Sequence, residues 1–221
     1  MLRSGTVEKE TFDLLVRLMD EPLLADTRLV GGTSLALQMG HRTSTDIDLF
    51  SYEIPDIEAI VSMLVENYGY IPQIIRGKTT IGHIDGIKID IIYHPFIWLE
   101  SPLQEGNIRL ATKGDIAAMK MHAIANSGER PKDFVDIAYL SQFYSYNQIK
   151  SLGLKKYPGY DPIMFDRAIN YFGDINEDLV NQIRMIGTKM NWEKIKERLV
   201  IMTEEPDRIF PASPLPEPRT H

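Results

Sequence analysis

The chain has 221 residues, of which 43% are hydrophobic and 25% are charged, a composition typical of a folded protein with a sizeable core. The absence of cysteine excludes disulfides, thiolate metal sites and cysteine nucleophiles. A net charge of −7 argues against a broadly basic nucleic-acid-binding surface, and without a signal-like or membrane-spanning apolar run we expect a cytoplasmic protein with no membrane partner.

The charge is unevenly distributed along the chain. Residues 1–110 hold 9 Lys+Arg against 16 Asp+Glu, whereas residues 111–221 hold 15 of each. A front half rich in carboxylates suits a cation site, and the balanced back half leaves room for a local basic surface. The net charge therefore does not exclude an RNA partner.

The first half of the chain alternates between helical and strand patterns. Hydrophobic spacing and glycine or proline turns predict, in chain order, a helix at 7–19, a strand at 28–30, a helix N-capped by Thr33 or Ser34 and ended by Gly40, a strand at 45–50, a helix from Pro55 to Gly69, and strands at 70–76, 79–84 and 87–93. These elements predict a mixed β-sheet flanked by helices, in an α/β (α+β) fold.

The second half is helical in pattern. A loop with Pro95 and Pro102 marks the expected boundary between a sheet domain over 1–105 and a helical bundle over 106–205. The expected helices are, in order, one N-capped by Asp115 and running to Asn126, one from Pro131 to about 144, and others near 162–172, 176–186 and 192–202. Prolines cluster over 206–221, so this tail is expected to be extended or poorly ordered.

Three aspartates are the candidate metal ligands. Alternation along a strand places Asp46 and Asp48 on one face, and Asp90 takes the equivalent face of 87–93. If the two strands are neighbours, the three carboxylates converge, and their mutual repulsion of about 1 kcal/mol per pair in water favours a cation between them. One or two Mg²⁺ ions fit such oxygen ligands. The Asp-x-Asp pair alone is equally consistent with a solvated strand face.

The glycine turn before these acids is the candidate phosphate site. Gly31, Gly32, Thr33 and Ser34 stand where a strand gives way to a helix, and the unpaired N–H groups of a helix N-terminus suit phosphate oxygens. The turn matches neither the Walker A motif nor the dinucleotide-binding fingerprint. Arg42 could add a phosphate contact, although a surface arginine is an equally good interpretation.

Lys120 is the candidate cation of the helical half. The residues around it are apolar on almost every side of the helix, so its ammonium either snorkels to the surface or faces a polar cleft, and we favour the cleft. Asp133 and Asp136 lie three residues apart on one face of the next helix. Acids near a helix N-terminus often only compensate its dipole, an interpretation that is weaker for Asp136.

Three separated segments carry a family resemblance. They are GGTSLALQMGHRTSTDIDLF, IKIDIIYHP and GDIAAMKMHAIANSGERPKDFVDIAYL, which together cover about residues 29 to 140. In this order they resemble the AbiEii/AbiGii toxin family of nucleotidyltransferases, part of the DNA polymerase β-like superfamily. The resemblance implies a minimal nucleotidyltransferase core followed by a C-terminal helical domain.

The resemblance also implies an activity. The expected reaction is Mg²⁺-dependent transfer of a nucleotide from an NTP to an acceptor hydroxyl, with RNA as the expected acceptor and tRNA as the leading candidate. The expected biological role is that of the toxin in a toxin–antitoxin or phage-defence pair, which adds a cognate antitoxin as a partner protein.

The family motifs assign roles to residues of this chain. The resemblance implies that Asp46 and Asp48 hold Mg²⁺ and that Asp90, in the place of the third acid, helps to activate the acceptor hydroxyl. It implies phosphate binding by the turn, where Gly32 and Ser34 match the family's glycine and serine, and by Lys120. Asp133 and Asp136 fall in its Lys-Asp-x-x-Asp segment and would orient Lys120 or contact the acceptor.

Two other functional classes remain open from the sequence. A small-molecule nucleotidyltransferase of the antibiotic-modifying kind would use the same acids with a different acceptor. A non-catalytic module that binds a nucleotide or a partner protein would use them for binding alone.

Overall fold

The computed structural model describes residues 2–215, and contacts divide the chain into two units. The first unit extends to Thr112, apart from His41–Thr43, which belongs with the second unit. The second unit continues from Lys113. The helices of the first unit, beside two short 3-10 turns, are α1 (Lys9–Met19), α2 (Gly31–Met39) and α3 (Ile57–Tyr68).

A seven-stranded mixed sheet forms the centre of the first unit. Its strands are β1 (Thr27–Leu29), β2 (Ile47–Ser51), β3 (Ile71–Arg76), β4 (Thr79–Ile84), β5 (Ile87–Tyr93), β6 (Leu103–Glu105) and β7 (Ile108–Leu110). Their order across the sheet is β3-β4-β5-β2-β1-β7-β6. The β2–β5 and β1–β7 pairs are parallel and the others are antiparallel. This arrangement confirms the predicted α/β class.

Alternation along β2 and β5 separates a core face from a polar face. Ile47, Leu49, Ile89 and Ile91 are fully buried and pack in one cluster with residues of α1 and α3. Burying such a side chain contributes about 1.5–3 kcal/mol. Because neighbouring strand residues point to opposite faces, the residues between these four lie on the other face of the sheet, which we call the acid face.

Two helices of the first unit begin at different residues from those predicted. α2 starts at Gly31 with Val30 as N-cap, so neither Thr33 nor Ser34 caps it, because both already lie inside its first turn. α3 starts after Asp56, whose side chain accepts a hydrogen bond from the Ala59 amide, rather than at Pro55.

The β6–β7 hairpin was not predicted. Each strand has three residues, and β6 is exposed along its whole length, so neither produces a recognisable alternation of apolar and polar residues. β7 pairs with β1 through Leu29 and Leu110, which extends the sheet of the first unit beyond residue 105.

The second unit is helical. Its helices are α4 (Lys113–Asn126), α5 (Pro131–Leu140), α6 (Tyr146–Lys156), α7 (Pro162–Ala168), α8 (Glu177–Asn181) and α9 (Trp192–Glu204). α6 was not predicted, although Ser145 and Gln148 form a capping box at its start. Asp115 is not the N-cap of α4. It lies inside the helix, fully buried, and forms an ion pair with Lys156 of α6.

The first part of the proline-rich tail packs against the helices. Phe210 is buried and its amide donates to the carbonyl of Ser141, and Leu215 is also buried. Arg198 of α9 donates to the carbonyl of Ala212. Residues 206–215 therefore form no helix or strand, as the expectation of an extended tail allows, but they pack against the helices; residues 216–221 lie outside the described residues. Within residues 2–215 no helix combines the length and apolar character needed to cross a bilayer.

Candidate active site

Asp48 and Asp90 are register partners on neighbouring parallel strands. Asp48 of β2 lies opposite Asp90 of β5, so both side chains lie on the acid face. Asp46 precedes the first residue of β2, two residues before Asp48, and is partly exposed. The pairing of β2 with β5 meets the condition under which the carboxylates of Asp48 and Asp90 come together.

Asp90 carries an unsatisfied oxygen. Its Oδ2 lies 2.5 Å from the Lys88 ammonium nitrogen, whereas no residue among 2–215 hydrogen-bonds its buried Oδ1. Asp90 as a whole is 8% exposed. Buried carboxylate oxygens normally have partners, so an orphaned one on a shared face with a second aspartate is suited to bind a cation.

The three predicted ligands do not form a compact metal site in this structure. Within the described part of the chain, no three acidic or histidine side chains are arranged to hold a metal ion. Carboxylates repel one another when no cation lies between them. The donor chemistry of Asp46, Asp48 and Asp90 and the orphaned oxygen of Asp90 fit Mg²⁺, and their joint coordination of it stays a prediction.

Gly31 brings the start of α2 against the carboxylate of Asp48. Its φ is +66°, and a Cβ added there would lie 2.4 Å from Asp48 Oδ2. The amide of Val30, the N-cap, donates to the Asp48 carbonyl over 2.9 Å. Only glycine permits both the left-handed backbone and this approach. The helix N-terminus and an acid therefore adjoin each other, as the motif spacing indicated.

The hydroxyls of the turn are used within the protein. Thr33 is 1% exposed, and its Oγ1 lies 2.5 Å from the Asp46 carbonyl oxygen and 2.9 Å from Ser44 Oγ. Ser34 is fully buried, and its Oγ accepts a hydrogen bond from Gln38. Thr33 thus fixes the segment before β2. The backbone amides of the partly exposed Gly31 and Gly32 are then the groups of this turn best suited to phosphate.

A pocket of about 470 Å³ adjoins Asp46 within the first unit. Its lining combines three acids with two basic or titratable side chains and neighbouring residues: Glu8, Thr11, Thr45, Asp46, His83, Asp85, Gly86, Ile87 and Lys88. Lys88 was missed by the sequence interpretation, although its position two residues before Asp90 on one strand places both side chains on the same face.

Asp136 is the centre of a buried ionic cluster in the second unit. Arg42 donates to it from Nε over 2.7 Å and from Nη2 over 2.8 Å, and the Lys120 ammonium lies 3.0 Å away. His41 Nε2 also lies 3.0 Å from Asp136 Oδ1. Lys120 is in addition hydrogen-bonded to Asp133. Arg42, Lys120 and the two acids therefore cancel in charge.

The electrostatics of the cluster favour the ionised acid and amine. Burial alone would raise the pKa of Asp136, but Arg42 and Lys120 outweigh it and hold that pKa well below its usual range. Burial opposes the charge of Lys120, but Asp133 and Asp136 raise its pKa. Burial lowers the pKa of His41 despite its contact with Asp136, so neutral His41 donates its Nε2 proton to Asp136.

The cluster changes the interpretation of three predicted site residues. Arg42 is 1% exposed and is neither a surface arginine nor open to phosphate in this structure. Asp136 is fully buried, so it positions its neighbours rather than contacting a substrate. Lys120 retains 11% exposure of its side chain and does not snorkel into solvent.

A family model matches most of the chain. The model describes the nucleotidyl transferase AbiEii toxin of a type IV toxin–antitoxin system, and it matches residues 13–207. The chain belongs to the AbiEii family. Membership in the AbiEii family makes it a nucleotidyltransferase, an enzyme that uses an NTP. The alternative of a non-catalytic module is set aside by this finding.

Three further proteins resemble this AbiEii family member, at sequence identities of 14% to 29%. An uncharacterized protein of Aquifex aeolicus (strain VF5) is 29% identical over 197 residues, which cover 86% of this chain and 93% of that protein. A candidate nucleotidyltransferase from H. pylori superposes with a TM-score of 0.53 at 14% identity, over 90% of this chain and 95% of that chain. JHP933 from Helicobacter pylori gives a TM-score of 0.54 at 17% identity, over 90% and 92%. The two structures support the fold.

Proposed function

We propose that this nucleotidyltransferase transfers a nucleotide from an NTP to a hydroxyl of RNA, with tRNA as the leading acceptor, in a Mg²⁺-dependent reaction. The observation that carries the proposal is the pairing of Asp48 with Asp90, whose Oδ1 is orphaned, beside a helix N-terminus that approaches Asp48 at Gly31. We further propose that the protein acts as the toxin of a toxin–antitoxin or phage-defence pair with a cognate antitoxin as partner, a role supported by its membership in a family described as type IV toxins.

In the proposed in-line displacement, the residues of the first unit have three roles: binding metal, binding phosphate and accepting a proton. Asp46 and Asp48 would hold Mg²⁺, which when bound neutralises charge on the phosphate oxygens. The amides of Gly31 and Gly32 donate to phosphate oxygens. Asp90 accepts the proton of the acceptor hydroxyl as the new oxygen–phosphorus bond forms and the bond to pyrophosphate breaks.

By the family resemblance, we assign phosphate binding in the proposed reaction to Lys120. Its ammonium group is held by Asp133 and Asp136, and Asp136 is itself held by Arg42. Asp133 and Asp136 are then positioning residues that fix the direction of the lysine side chain.

The test is label transfer by the purified chain. With α-labelled NTPs, Mg²⁺ and total RNA, we expect label in RNA, loss of transfer with EDTA, and a rate at least about 100-fold lower for Asp48→Asn, because metal-based charge stabilisation contributes several kcal/mol. Asp13→Asn, whose side chain is exposed and distant in sequence from the motif, serves as control. Label transfer that survives Asp48→Asn would contradict the proposal.

A small-molecule acceptor is the second candidate, and the pocket beside Asp46 favours it. Its volume of about 470 Å³ is that of a ligand site, and its acids Glu8, Asp46 and Asp85 would attract a cationic compound. Incubation with labelled NTPs and polyamine-type antibiotics instead of RNA separates the two. Transfer to the antibiotic and none to RNA would select this second function.

A further inference from the structure

The acid face continues beyond Asp90 to the edge of the sheet. Asp48 pairs with Asp90, Asp90 with Ile81 of β4, and Ile81 with Ile74 of β3, which forms one row across four strands. Register partners have side chains on the same face. Ile74 therefore shares the face of the acids, two strand spacings or about 10 Å from Asp90.

Two further side chains, those of Ile71 and Arg76, complete an exposed strip on this face. Ile71 lies opposite His83, and Arg76 lies opposite Thr79. The register shift between Pro72 and Ile74 adds one residue, so Ile71 and Ile74 point to the same side. We name Ile71, Ile74, Arg76 and Ile81 the edge strip. Ile71 is 68% exposed and Ile74 48%, so the strip is an apolar surface with a cation at one end.

The edge strip and the turn that follows it carry positive charge. Three other cations of the first unit are engaged within it: Arg17 over the ring of Tyr68, Arg28 with the Glu100 carbonyl, and Arg109 with several backbone carbonyls. Arg76 and Lys78, in the turn after β3, are exposed, and neither side chain has an ion pair or hydrogen bond to any of residues 2–215. In a unit with excess acid, they provide a local site for an anion.

The outer edge of β3 is poorly suited to accept a further strand. Pro72 lacks an amide hydrogen, and the register shift after it interrupts the regular spacing of backbone groups. Both features are known to protect edge strands from pairing with another chain. A partner is therefore expected to contact the side chains of the acid face rather than extend the sheet.

We propose that the edge strip and Lys78 bind the unpaired end of a polynucleotide acceptor. The bases pack against the apolar side chains of Ile74, Ile81 and Ile71, and Arg76 and Lys78 contact the phosphates, so an apolar surface for bases lies beside cations for the backbone. The strip leads directly to Asp90, where the terminal hydroxyl reacts. The inference rests on the proposed function, since it names the surface that delivers the acceptor.

RNA binding is the first readout. The probe is a fluorescein-labelled RNA single strand of 12 nucleotides and mixed sequence, measured by anisotropy over a salt series. For Arg76→Glu/Lys78→Glu we expect about tenfold weaker binding and a salt slope shallower by about 1.4, since two phosphate contacts are lost. Ile74→Ser should also weaken binding. Ile75→Ser is the matched control, because Ile75 is 54% exposed on the same strand but lies opposite Thr80 on the other face.

Transfer kinetics are the second readout. We expect the strip variants to raise the KM for RNA about tenfold, in line with the lost contacts, while NTP affinity is unchanged. Unchanged RNA binding in the strip variants, or equal loss in Ile75→Ser, overturns the inference and leaves the proposed function standing. RNA binding that depends on the strip, in a protein that transfers no nucleotide, supports the inference and defeats the proposed function.

A protein partner is the competing outcome, and it has its own signature. If Ile74→Ser and Ile75→Ser both abolish self-association on size exclusion while RNA binding is unchanged, β3 is a protein interface and the inference is overturned. Both serine variants remove an exposed side chain, so retention of the wild-type circular dichroism spectrum is expected for each.

Discussion

Asp136 shows how a residue chosen for catalysis can also serve the structure. Its carboxylate is fully buried and receives Arg42, Lys120 and His41. Removal of its charge would leave Asp133 as the one acid beside Arg42 and Lys120, an excess of one buried positive charge in the cluster. Such uncompensated charge costs several kcal/mol in proteins. The acid is therefore expected to matter for stability as well as for activity.

We expect Asp136→Asn to lower the free energy of unfolding by about 3–5 kcal/mol, as for other broken buried ion pairs. Urea denaturation of the full chain measures the change. Asp13→Asn, which breaks the exposed pair with Lys9, should alter stability by less than about 1 kcal/mol. An Asp136→Asn variant as stable as Asp13→Asn would refute the structural role.

Gly31 allows a prediction that separates backbone strain from side-chain collision. Gly31→Ala places a methyl group 2.4 Å from Asp48 Oδ2, whereas Gly69, also with positive φ (+67°), has nothing within 4 Å of its Cβ position. Both alanine variants should lose about 1 kcal/mol through the left-handed backbone. Gly31→Ala alone should also lose most nucleotidyl transfer. Equal activity in the two variants would show that the approach to Asp48 is unimportant.

His41 and Asp136 give the stability a pH dependence in two windows. Because the pKa of His41 is lowered in the folded state, the unfolded chain binds more protons below about 6.5, and stability falls as the pH drops through that range. The stability from ionised Asp136 is present above its unfolded pKa of about 3.9 and is lost as the pH falls towards its lower folded pKa.

Denaturation curves between pH 7.5 and 5 check the upper window. His122 also has a pKa lowered by burial and contributes in the same direction. His41→Gln should therefore reduce the slope of stability against pH without abolishing it. A slope identical to that of the wild type would show that His41 does not contribute to the pH dependence of stability.

At the scale of elements, a buried ion pair joins α4 to α6. Asp115 and Lys156 are both fully buried, 2.8 Å apart, and neither was singled out for this role in the sequence. We expect Lys156→Met to cost about 3–5 kcal/mol because it removes the cation that compensates the buried carboxylate charge, and the double variant Asp115→Leu/Lys156→Met to recover much of that loss. Thermal unfolding of the four proteins measures the coupling. Additive losses would show that the pair does not interact.

The elements that could be predicted are those with a local signal. Gly40 and Gly69 end their helices in the left-handed conformation, and the Asp85-Gly86 turn joins β4 to β5 where expected. β6 and β7 have three residues each, so they carry too few side chains for a pattern. Their existence depends on the edge that β1 offers, which only the folded sheet defines.

In the candidate site, too, only the features with a local sequence signal could be predicted. The shared face of Asp48 and Asp90 follows from strand alternation and could be predicted once the two strands were taken as neighbours. The role of Arg42 could not, because the carboxylate it binds is 94 residues away in the sequence. Thr33 was expected to contact phosphate, but its hydroxyl donates a hydrogen bond to the carbonyl of Asp46.

At the scale of the whole molecule, the proposed function explains why residues 1–110 carry more acidic than basic side chains. Carboxylates on the acid face favour cation binding, and the edge strip places Arg76 on that same face. A polynucleotide meets positive charge at the strip and the aspartates at its reacting end. Binding of the acceptor is therefore expected to weaken with salt.

The central claim is nucleotidyl transfer by the Asp48 and Asp90 face to RNA. The most direct measurement counts pyrophosphate released and labelled nucleotide incorporated, in parallel, with the wild-type chain, Asp90→Asn and the exposed control Asp13→Asn. We expect one pyrophosphate per nucleotide in RNA for the wild type and the control, and neither product above background for Asp90→Asn. Pyrophosphate release without labelled RNA, or full transfer by Asp90→Asn, would contradict the claim.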